Sequence, residues 1–135
     1  MWRNAGAILL GLMVGMMVNM ALINLNFALV APMPEGLDMA DPEALGAFIA
    51  TLPAAAFILV IAAHLGQAFI GGWVAARLGA SHPMRLALIV GAVTLAGGVG
   101  ALMMIPGPSW MVLELPFYMI VADWAGRLEE RRRST

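Results

Sequence analysis

The sequence contains no cysteine and no lysine, and only 11% of its 135 residues are charged. Without cysteine there can be no disulfide, thiolate nucleophile, Cys-ligated zinc, iron–sulfur cluster or thiol redox relay. With a net charge of −1 and no basic stripe before the extreme C-terminus, nucleic acid is excluded as a partner. No phosphate loop, nucleophile elbow or zinc-protease motif is present. The sequence thus indicates no catalytic set, no metal and no cofactor. What it has in excess is apolar surface, at 62% hydrophobic residues. A soluble domain carries about 25% charged and 45–50% apolar residues. A chain this small has too high a surface-to-volume ratio to hide the difference, so the expected solvent is lipid.

A spanning helix needs about 20 mostly apolar residues, and four segments have that length: 5–30, 53–76, 84–105 and 109–128. The first exceeds the roughly 7–15 apolar residues of a signal peptide and is read as a retained helix. The expected fold is all-α, a single domain over 1–135 forming an integral membrane four-helix bundle. All seven basic residues are arginine: Arg3, Arg77, Arg85, Arg127, Arg131, Arg132 and Arg133. Four spans put every one on the same side. The 31–52 loop holds Glu35, Asp38, Asp41 and Glu43 and no basic residue. The positive-inside rule then makes both termini cytoplasmic. Within that loop, Asp41-Pro42-Glu43 predicts a capped short helix over 42–51. The Pro106-Gly107-Pro108-Ser109 connection predicts a tight turn.

Polar groups inside a bilayer cost free energy and face protein or a cavity. On the first span Asn19 and Asn26 share a face with Gly11 and Gly15. On the second, His64, Gln67 and Gly71 form a stripe, and on the third Gly91, Thr94 and Gly98 do so. Small residues in such rows let helix backbones approach closely, which gives Gly11, Gly15, Gly71, Gly91 and Gly98 a packing role. Asn19, Asn26, His64, Gln67, Thr94 and Glu114 form the candidate intramembrane polar site. At 1.5 Å rise per residue, Asn19, His64 and Thr94 lie about 16 Å from the outer helix ends and Glu114 about 7 Å. That difference of about 9 Å predicts that His64 and Glu114 are too far apart to act together directly. Glu114 is expected to reach outward or to bond Asn26, and Asp123 to pair with Arg127. His82, in the arginine-rich connection, cannot share an iron with His64. The twelve methionines serve as flexible filler rather than as copper ligands.

The runs Met20–Asn26 (MALINLN), Pro32-Met33-Pro34-Glu35-Gly36, Asp38–Glu43 (DMADPE), Ala63–Gln67 (AHLGQ) and Gly71-Gly72-Trp73 resemble an uncharacterised family of small bacterial four-helix inner-membrane proteins. That resemblance implies a multi-pass protein of the bacterial inner membrane and no activity. The small multidrug resistance transporters, also of four short spans, place their essential glutamate in the first helix, where this chain has only asparagines. Three functions stay open. The foremost is a structural or accessory membrane subunit, a homo-oligomer or a binder of another membrane protein, in contact with membrane lipids. The alternative is a proton- or small-solute-coupled transporter or channel subunit acting as an oligomer. The last is a lipid-handling membrane enzyme using His64 and Glu114.

Overall fold

The computed structural model describes residues 2–105 and 107–135, so the expected turn at Pro106 lies partly outside the described residues. The described chain is all-helical. The helices are α1 (Trp2–Leu29), α2 (Pro42–Ala50), α3 (Ala54–Leu78), α4 (Pro83–Met104) and α5 (Leu115–Ser134), with a 3-10 segment at Ser109–Glu114. Three of them, α1, α3 and α4, are long and apolar enough to cross a membrane.

Proline sets most of the helix starts. Pro42, Pro83 and Pro116 stand in the first turns of α2, α4 and α5, and Pro53 and Pro108 precede α3 and the 3-10 segment. A proline in the first turn loses an N–H that would be unpaired anyway. Asp41 caps α2, its side chain accepting from Glu43 N at 2.9 Å. The segment expected as one helix over 109–128 divides in two. Pro116 cannot donate to the carbonyl of Val112, and its ring would crowd that carbonyl in an α-helix. The turn before it therefore winds tighter, with Leu115 N bonding Val112 O, three residues back. Beyond it α5 runs on to Ser134, its last turn carrying Arg131, Arg132 and Arg133, which suit a helix C-terminus.

Helix α3 is the centre of the assembly. Helix α1 packs along it, α4 and α5 pack against it and against each other, and α1 meets α4 only slightly. The α1–α3 seam is backbone against backbone. A Cβ on Gly15 would lie 2.6 Å from Gln67 O, and one on Gly71 would lie 2.7 Å from Gly11 O. Gly91 does the same for α4 and α5, where an added Cβ would come 2.5 Å from Ala122 Cβ. A buried cluster of Ala75, Leu86 and Val90, flanked by Ile8 and Leu12, fills the half of the molecule nearer the arginines.

At that end the N-terminus, the α3–α4 connection and the C-terminus meet. Arg3 Nε donates to Leu78 O at 3.0 Å, and Asn4 Oδ1 accepts from Ala80 N at 2.7 Å. Arg133 Nη2 donates to Ala76 O at 2.6 Å and Gly79 O at 3.0 Å, satisfying carbonyls at the end of α3. Glu129, fully buried, receives Arg132 Nη2 at 2.5 Å and Arg133 Nε at 2.9 Å, with Arg77 Nη1 at 3.6 Å.

Candidate functional site

At the end away from the arginines the helices do not close. A cavity of about 210 Å³ lies between α1, α2, α3, α4 and the 3-10 segment. Helix α2 supplies Leu45, Phe48 and Ile49 to it, and Phe27 and Phe57 come from α1 and α3. Among these apolar walls stand three polar side chains: Asn26 of α1, His64 of α3 and Glu114 of the 3-10 segment.

His64 Nδ1 lies 2.9 Å from Glu114 Oε1. The expected separation of these two residues was therefore wrong, and the physical reason is local. A 3-10 helix rises about 2.0 Å per residue instead of 1.5 Å, which carries Glu114 roughly 3 Å deeper over six residues. The side chain of His64 also leans toward the start of α3, from which side Glu114 descends. Tyr118, one helical turn after Glu114, donates its hydroxyl to the same Oε1 at 3.3 Å and stacks on His64 at 6.3 Å between ring centroids. An ionised carboxylate only accepts, so the hydrogen between Nδ1 and Oε1 belongs to His64 in that state.

Among the described residues, two buried acceptors at this site have no partner: Glu114 Oε2 and Asn26 Oδ1. Their residues are 6% and 1% exposed. A buried polar atom without a partner costs about 1–3 kcal/mol. A hydrogen-bond donor placed against either oxygen would remove that cost.

The remaining predicted residues lie elsewhere or on a second opening. A groove of about 430 Å³ runs beside α1 and α4, lined by Asn19, Gln67, His64, Thr94 and Tyr118 among apolar side chains. Thr94 satisfies itself on Val90 O at 2.9 Å. Gly98 lies against Tyr118, whose hydroxyl would be 2.9 Å from an added Cβ. Asn19 and Gln67 thus share the groove, Asn26 and Glu114 share the cavity, and His64 borders both. Asp123 receives Arg127 Nε at 2.5 Å, away from either opening. Asn24 turns back on its own helix, donating to Met20 O at 2.7 Å.

Sequence reasoning missed two residues. Tyr118 carried a signal, since it stands four residues after Glu114 on a helical face. Glu129 carried the same signal toward Arg132 and Arg133. The two arginines, Arg132 first by hydrogen bond, and Arg77 by charge hold the Glu129 carboxyl down at about 2 against the opposing effect of burial.

Comparison with protein-family models, with curated proteins and with solved structures finds no match to this chain.

Proposed function

We propose that the chain is a four-span protein of the bacterial inner membrane, both termini cytoplasmic, acting as an accessory subunit that holds a small amphiphile in its outer half. The observation that carries this reading is that Glu114 and Asn26, two of the residues lining an apolar cavity, each have a buried oxygen with no partner among the described residues. Pockets that bind small molecules combine mostly apolar walls with a few convergent polar groups.

Three further points support it. The 3-10 segment plus α5 up to Leu128 is about 33 Å long, enough for the roughly 30 Å hydrocarbon core. Within that length Glu114 Oε1 meets His64 Nδ1 at 2.9 Å and Asp123 pairs with Arg127. All arginines gather at one end and the four loop carboxylates belong to the other, in keeping with the positive-inside rule. The resemblance noted above favours the bacterial inner membrane.

The transporter reading draws on the His64–Glu114 contact, since a histidine–carboxylate pair is suited to passing protons. It also needs a path through the inner half, and there Ala75, Leu86 and Val90 are packed shut against Ile8 and Leu12. A receptacle open on one side fits binding better than conduction.

The test is a titration of the protein in lipid nanodiscs with 2-phenylethanol, a neutral amphiphile. Saturable thermal stabilisation is expected, about 2.7 kcal/mol at a hundredfold excess over Kd. Ala101→Leu, which fills the cavity from α4, is expected to remove it. Stabilisation that never saturates, or that is equal in the filled variant, would overturn the binding reading. In parallel, vesicles loaded with a pH-sensitive dye are expected to show no protein-dependent proton flux, and a flux that Glu114→Gln abolishes would restore the transporter.

A further inference from the structure

We infer that the ligand of the outer cavity is a small cationic amphiphile, a primary ammonium carried on a single ring or short chain. The inference rests on the binding reading above and adds the chemistry of the head group.

Four observations converge on it. Glu114 Oε2 is buried with no partner among the described residues, while Oε1 contacts His64 and accepts from Tyr118, so the open position of the carboxyl group lies on one oxygen. A carboxylate enclosed by apolar walls persists only with a partner that offsets its charge, and a cationic donor does so most fully. Among the described residues that line the cavity there is no arginine, and His64 and Glu114 are the only ionisable side chains. Asn26 lines the same cavity and its Oδ1 is a second acceptor without a partner among the described residues, and an ammonium brings three donors.

The walls agree with a cation as well. Phe27, Phe48 and Phe57 line the chamber, and aromatic faces attract ammonium groups when both are out of water. The approach is electrostatically one-signed. Met39 and α2 border the cavity, and the segment that carries them holds Glu35, Asp38, Asp41 and Glu43 with no basic residue. Charge of one sign around a low-dielectric mouth raises the local concentration of the opposite ion. Size sets the upper limit. A cavity of 150 Å³ in another protein takes up benzene, so about 210 Å³ admits one ring with a short arm.

The experiment compares three probes of one shape in nanodiscs, with empty discs as the partition control: phenethylammonium, 2-phenylethanol and phenylacetate. Phenethylammonium is expected to bind at least tenfold tighter than 2-phenylethanol, and phenylacetate not at all. Glu114→Gln keeps an acceptor for His64 and is expected to erase the preference, bringing the affinity for the amine to that for 2-phenylethanol measured in the same variant. Should that variant fail to fold, Asn26→Ala supplies a milder test, with the ratio of amine to alcohol affinity expected to narrow threefold or more. Equal affinity for amine and alcohol, or an amine preference that survives in Glu114→Gln, would overturn the cationic ligand and leave the binding reading standing. Absence of saturable binding by all three probes would overturn both.

Discussion

Glu129 sits fully buried among Arg77, Arg132 and Arg133, whereas Glu114, almost as far from water, keeps one oxygen without a partner among the described residues. The first arrangement holds the molecule together. Breaking a buried pair strands charge and costs about 3–5 kcal/mol, so Glu129→Gln is expected to lose roughly 3 kcal/mol by denaturant titration, in line with that range. The acid limb follows in sign. A carboxyl held at about 2, against an ordinary 4.5, contributes stability that is complete above 4.5 and lost as pH falls toward 2. Wild-type protein should weaken through that window and Glu129→Gln should not, which unfolding midpoints between pH 5 and 2 would check. At this scale the sequence was partly readable. Asn26, His64 and Glu114 could be singled out because polar groups in apolar helices need a reason, but their meeting point depended on a 3-10 turn that simple helix arithmetic omits.

Helix boundaries and faces were legible because apolar length and proline positions speak directly to them. The capped α2 at Asp41-Pro42 and the glycine rows on α1 and α3 came from spacing alone. What spacing does not show is which rows touch which. Gly11 and Gly15 lie on Gly71 and Gln67 of α3, whereas Gly97 and Gly100 of α4 face open space. Gly15→Leu is therefore expected to push α1 off α3 and cost several kcal/mol, in the range of overpacked or backbone-clashing substitutions. Gly100→Ala is expected to be neutral or to stabilise by up to about 1 kcal/mol, because alanine has the higher helix propensity. Matched unfolding curves would check both, and equal sensitivity at the two sites would contradict the seam. The α3–α4 connection offers a second element-level test. His82 enters α4 with φ at +52°, a left-handed conformation that costs a non-glycine residue about 1–2 kcal/mol. His82→Gly is expected to gain part of that cost, and His82→Val to lose stability, since a β-branched side chain is a poorer fit there than histidine.

For the whole molecule, two ends of unlike chemistry organise everything else. One is closed by arginine–carbonyl and arginine–carboxylate contacts that join the N-terminus, the α3–α4 connection and α5. The other is acidic in sequence, hollow, and roofed by α2. With lipid around the middle, the positive-inside rule gives the expectation that the tightly pinned end faces the cytoplasm, because seven arginines there would have to be carried across the membrane in the opposite orientation. The absence of cysteine makes this directly measurable, since a single introduced thiol has no background. Ser134→Cys in exposed α5 and Glu35→Cys in the exposed loop leave every contact described above intact. A membrane-impermeant maleimide applied to intact spheroplasts is expected to label position 35 and to spare position 134, and inverted vesicles should reverse the pattern. Labelling of both positions from one side would mean an odd number of crossings, with α1, α3 and α4 spanning and α5 lying outside. In that case Glu114 would meet water, its unpartnered oxygen would be solvated, and the physical argument for a buried ligand would fall with the fourth span.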